Sequence, residues 1–122
     1  MEQALTSIET ASDRELIELA AMAAAIEVEF GTLTSKRGDV CDGAWLRDSL
    51  DEWNPLADDG DAFRLAMHLG MLVEVSDDRN EVCAAAPTGH HWTELCEGSP
   101  CAAAREAITR CAAAIALTMK AA

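Results

Sequence analysis

The chain has 122 residues, 9 basic against 22 acidic side chains and a formal net charge of −13. A chain of this length is expected to form a single domain over 1–122. Nine scattered Lys/Arg residues give no patch that neutralises several phosphates, so direct binding to nucleic acid or to an anionic membrane is not expected. Half the residues are hydrophobic but only 4% are aromatic, and much of the apolar total is alanine. Alanine buries little surface per residue, so the monomer core is expected to be thin and a homodimer is a candidate state.

The first element is a helix. Ser12 is its N-cap, Glu15 completes a capping box, and Asp13 and Glu15 favour its positive end. Leu16, Leu19, Ala20, Ala23 and Ile26 form one apolar stripe at helical spacing. Before it, Leu5–Ile8 reads as a short turn or a frayed arm. The period then changes: Ile26, Val28 and Phe30 alternate with Glu27 and Glu29, a half-buried strand that Gly31 ends or bends. Residues 34–43 (TSKRGDVCDG) read as a turn, and Ala44–Arg47 as a short second strand with Trp45 or Leu46 facing inward. An irregular connection over 48–57 follows, with Trp53-Asn54-Pro55-Leu56 packing back on the domain.

A second helix is expected from about 59 to 69, capped by Asp58 or Asp59, with Ala62, Leu65, Ala66 and Leu69 as its stripe and Phe63 and Met67 beside it. Gly70 is the expected C′ glycine. Residues 71–76 and 81–84 read as a β-hairpin across Asp77-Asp78-Arg79-Asn80. Residues 85–98 show no clear period, with Trp92 and Leu95 as anchors. The last helix starts with Ser99 as N-cap and Pro100 at its first position, and its narrow apolar face is Ile108, Cys111, Ala112 and Ile115. The expected fold is thus α/β of the α+β type: a small, largely antiparallel four-stranded sheet packed with three helices in the order α-β-β-α-β-β-α.

Candidate functional residues fall into three groups. Asp48, Asp51, Glu52, Asp58, Asp59 and Asp61 crowd 48–61 without a base. They are candidates for a divalent-cation site, a surface for a basic protein partner, or ordinary capping and solubility; ADDGDA lacks EF-hand spacing. His90, His91, Cys96 and Cys101, with Cys83 nearby, are zinc-ligand types but include no CxxC pair. Cys96, His90 and Asp77 or Asp78 contain the chemistry of a nucleophilic site, yet no spacing selects them, and no cofactor motif is present. Trp45, Trp53 and Trp92 carry most of the aromatic area; Trp45 and Trp53 read as loop anchors and Trp92 as an exposed contact.

The five cysteines are odd in number, MEQALTSIET has no secretion-signal pattern, and no stretch of 18 apolar residues exists. Reduced thiols in a cytoplasm are therefore expected.

Residues 53–75, WNPLADDGDAFRLAMHLGMLVEV, together with ASDRELIELAAMAAAIEVEF and AAREAITRCAAAIA, resemble small phage and prophage proteins related to the phage ABA-sandwich group. Trp53, Asn54, Pro55, Asp58, Asp59 and Asp61 carry the recurrent part of that resemblance. It implies a layered α/β fold, an accessory phage product and no catalytic residues. The readings left open are a non-enzymatic protein-binding domain, a small metal-binding protein or hydrolase, and an acidic mimic of nucleic acid.

Overall fold

A computed structural model describes residues 8–35 and 37–121, the last by its backbone only. Of the expected turn or arm at Leu5–Ile8, only Ile8 lies within the described residues. The elements are α1 (Asp13–Ala23), β1 (Val28–Thr34), β2 (Val40–Leu46), α2 (Asp59–His68), β3 (Leu72–Ser76), β4 (Glu81–Ala85), β5 (His91–Leu95) and α3 (Pro100–Ala121).

The architecture is α+β, with three helices among the described residues, but the expected single four-stranded sheet is corrected. Among the described residues five strands form two antiparallel sheets, a β1–β2 hairpin and a β3-β4-β5 meander. Two local readings are corrected with it. Gly31 does not end the first strand; it pairs with Gly43 in mid-ladder, and pairing continues to Thr34 opposite Val40. The Cη2 of Trp45 lies 3.0 Å from where a Cβ on Gly31 would stand, so the glycine lets the indole lie across the hairpin. The turn is confined to Ser35–Asp39, where the Ser35 N–H donates to the Asp39 carbonyl at 2.7 Å. The second correction is β5. Its inward residues are Trp92 and Glu94, whereas His91, Thr93 and Leu95 face solvent, so no apolar alternation was visible in the sequence. Leu95 is not an anchor; it is 59% exposed.

The helix boundaries follow local chemistry. Ser12 Oγ accepts the Glu15 N–H at 3.1 Å while Glu15 Oε1 accepts the Ser12 N–H at 2.8 Å, a complete capping box. Asp58, rather than Asp59, caps α2 by accepting the Asp61 N–H at 2.8 Å. Ser99 Oγ accepts the Ala102 N–H at 3.1 Å at the start of α3. α1 and α2 both close in Schellman geometry. At α2, the Met71 N–H reaches the Ala66 carbonyl and Gly70 takes φ +68°. At α1, the Ile26 N–H reaches the Ala21 carbonyl, but the left-handed position is held by Ala25 at φ +56°.

α3 is the spine. It packs α1 and α2, and it covers one face of the meander through β4 and β5. The main core joins Ile17, Ala20 and Ala21 of α1, Leu65 and Ala66 of α2, Ala84 of β4, and Ala107, Ile108, Cys111 and Ile115 of α3, with Trp53 and Ala44 closing it from the hairpin side. A smaller cluster sets Ile8, Leu16 and Leu19 against Ala113 and Ala116. The opposite face of the meander, carrying Leu72, Glu74, Thr93 and Leu95, is exposed.

Among the described residues two non-glycine residues without a polar side chain hold left-handed backbone: Ala25, and Leu50 at φ +65° with its side chain 71% exposed. An L-residue other than Asn or Asp in this conformation is unfavourable by ~1 kcal/mol. Ala25→Gly and Leu50→Gly are each expected to raise unfolding stability by about 0.5–1 kcal/mol in urea titrations.

Candidate functional site

The acidic segment is dispersed rather than gathered. Asp48 and Asp51 are exposed beyond β2, and Glu52 is half-buried in an isolated bridge with Trp45. Asp58 is occupied with capping, and Asp59 meets Arg105 at 2.5 Å. Asp61 is only 3% exposed. Its two carboxylate oxygens accept the Asn54 N–H at 2.9 Å and an Arg64 N–H at 2.7 Å. Asn54 in turn accepts the Leu56 N–H on its side-chain oxygen at 3.1 Å, and Arg105 Nε donates to the Leu56 carbonyl at 3.0 Å. WNPLADDGD is therefore a clamp: Trp53 enters the core at 3% exposure while Asp61 and Arg105 hold the loop onto α2 and α3. The acids at the start of β1 share one cation, with Arg47 3.5 Å from Glu27 and 3.2 Å from Glu29.

The His/Cys group does not converge. Among the described residues no three His, Cys, Asp or Glu side chains form a group that could hold a metal ion. His90 is engaged on both ring nitrogens, with Thr88 Oγ1 at 2.7 Å and Thr118 Oγ1 at 2.9 Å, and so ties the β4–β5 turn to the end of α3. His91, its neighbour on β5, is exposed. All five cysteines are free; Cys96 and Cys111 are buried and Cys101 is exposed. Burial raises the Cys111 thiol above its ordinary pKa, only partly offset by a backbone hydrogen bond.

Trp92 is half-buried and packed against both larger clusters, so it is not the exposed contact expected from the sequence. Its Nε1 donates to Glu94 at 2.6 Å, and the Arg110 guanidinium lies 5.8 Å from its ring centre. Arg110 Nε also reaches Glu106 at 3.0 Å and Glu94 at 3.4 Å. These residues line a groove of about 500 Å³ beside β5, in which Arg110 meets Glu94 and Glu106, and Glu9 and Glu97 line it as well. Trp45 lies on the outer face of the hairpin over Gly31, and Leu46 packs against the core.

The feature that sequence reasoning passed over is a second groove of about 440 Å³ between α2, β3 and α3. α3 contributes Ala104 and Ile108, α2 contributes Ala62 and Ala66, Met71 precedes β3 and Val73 lies within it, and the Asp59–Arg105 pair lines the border between the two helices. Phe63 and Met67, one helical turn apart, also line it and remain 64% and 63% exposed. Their signal was present: two large apolar residues four apart, outside the buried stripe of the same helix. The exposed Cys101 also lines this groove. No helix among the described residues is long and apolar enough to cross a membrane. Comparison with protein-family models, with curated proteins and with solved structures finds no match for this chain.

Two outcomes follow from this geometry. Asp61→Ala, which leaves the Asn54 N–H and Arg64 without their acceptor, is expected to lower unfolding stability by about 1–3 kcal/mol in chemical denaturation. Iodoacetamide at neutral pH is expected to label Cys101 first and Cys111 only on unfolding, read by peptide mass mapping. Because folding raises the Cys111 pKa, its contribution is fully present below the ordinary thiol pKa of about 8.5 and falls above it, where the unfolded chain ionises first.

Proposed function

We propose that this chain is a non-enzymatic protein-binding domain that docks its partner in the groove between α2, β3 and α3. The observation that carries the reading is the exposure of Phe63 and Met67 beside that apolar groove. Large apolar side chains grouped at a concave surface mark contact sites, because covering them removes apolar area from water. The arrangement of the acids supports the same reading over a nucleic-acid mimic: three of the six in 48–61 serve the clamp, so they do not present phosphate-like spacing. The resemblance carried by WNPLADDGDA supports placing the domain among phage or prophage accessory proteins.

The test compares wild type, Phe63→Asp with Met67→Asp, and Asp48→Asn with Asp51→Asn in affinity capture, followed by reconstitution with the purified partner. The groove variant is expected to weaken binding by roughly 10- to 100-fold, equivalent to about 1.4–2.8 kcal/mol, while circular dichroism stays unchanged. Full binding by the groove variant and loss in the acidic variant would overturn the reading in favour of an acidic contact surface.

A further inference from the structure

We infer that the groove takes its partner by strand addition: an extended segment with apolar residues alternating with Lys or Arg pairs along the outer edge of β3. The inference rests on the docking reading above and specifies the chemistry of the occupant.

β3 is the edge of its sheet, and its one strand partner among the described residues is β4. An open edge presents unpaired N–H and C=O groups, and natural sheets protect such edges with Lys, Pro, a bulge or a covering element. The β3 sequence Leu-Val-Glu-Val-Ser contains neither Lys nor Pro, and Leu72 and Val75 are 61% and 58% exposed. α2 packs on α3, leaving the groove between itself and β3, and Val73 of the edge strand lines that groove. A strand laid along β3 therefore directs alternate side chains toward the groove, where Phe63 and Met67 stand. The side chains between them fall on the exposed sheet face beside Leu72 and Glu74. A docked helix fills the groove but leaves the backbone edge unpaired.

Charge selects the sign of the segment. Residues 71–81 hold four acids, Glu74, Asp77, Asp78 and Glu81, against Arg79 alone. Arg79 already lies 3.9 Å from Glu81. Glu74 sits at the centre of β3, where a cross-strand Lys or Arg is favourable and a carboxylate is not. The same position disfavours a second copy of this chain: antiparallel self-pairing centred on β3 sets Glu74 against its own counterpart, between two chains of net charge −13.

The experiment uses the full chain and three short synthetic peptides: alternating Val and Lys, the same composition with Val at helical spacing, and alternating Val and Glu. Fluorescence anisotropy is expected to show the Val/Lys strand binding roughly tenfold or more tightly than the other two, with affinity falling as salt rises. Amide hydrogen exchange is expected to slow across 72–76 when it binds. Glu74→Lys, a change on an exposed side chain, is expected to reverse the preference toward the Val/Glu peptide. Tighter binding of the helical peptide, or binding without slowed exchange in β3, overturns strand addition. If Phe63→Asp abolishes that binding while β3 exchange is unaffected, the groove remains the docking site and only the strand mode falls. Binding of none of the peptides also overturns the strand mode, and the partner reconstitution above then decides the groove by itself. A dimer in sedimentation velocity that Phe63→Asp dissolves assigns the groove to a second copy and overturns the basic segment.

Discussion

Close packing along α3 is the constraint from which the other elements take their places. Its buried surface is built mainly from small side chains, with Ala103, Ala107, Ala112, Ala113 and Ala116 at 5% exposure or less. Small residues let α1 and the meander approach the helix closely, and they contribute burial through contact rather than through bulk. The larger side chains Leu16, Leu65 and Trp53 then fill the junctions between elements. Thr109 sits in this surface fully buried, and its hydroxyl is the one buried side-chain polar atom without a hydrogen-bond partner among the described residues.

The same economy of side-chain volume creates the candidate site. Ala62, Ala66 and Ala104 are too small to close the space between α2, β3 and α3, so Phe63 and Met67 border an open groove instead of a filled core. Polar networks border other junctions. Arg105 and Asp61 secure the Trp53–Leu56 loop, and Arg110 joins Trp92, Glu94 and Glu106 beside β5. On the α2 side the Asp59–Arg105 pair joins α2 to α3 at the border of the groove, and the rest of the lining is apolar apart from Cys101.

Acidity has two physical roles in this chain. Asp58, Glu15 and Asp61 are bound into helix starts and the loop clamp, where N–H donors and a guanidinium oppose them. Asp48, Asp51, Glu74, Asp77 and Asp78 remain on the surface and contribute to its negative field. A count of carboxylates treats these groups alike; their burial and partners separate them.

Much of the fold was legible where a local rule is complete within a few residues. The capping box at Ser12–Glu15, the Asp58 cap, Gly70 and the Ser99–Pro100 start all depend on neighbours close in the chain, and so did the alternation at 26–30 and the turn at 77–80. The Trp53–Leu56 loop was expected to pack inward, but its attachment to Asp61 and Arg105 joins residues 7 and 49 positions apart. The longer hairpin and β5 escaped because Gly31, Gly43, His91 and Thr93 belong to strands through backbone pairing, not through apolar side chains. The division into two sheets and the groove beside β3 were settled only by how α2 and the meander pack on α3. The sequence by itself determined closely where helices begin and end and part of the stripe each buries, since those follow from short-range hydrogen bonding and periodicity; Ile17 and Ala21 of α1 and Ala103, Ala107, Ala113 and Ala116 of α3 are buried outside the expected stripes because the helices pack on more than one neighbour. Which strand edge stays open, and which apolar side chains lie beside it, was decided by tertiary packing, because exposure depends on what the rest of the chain covers.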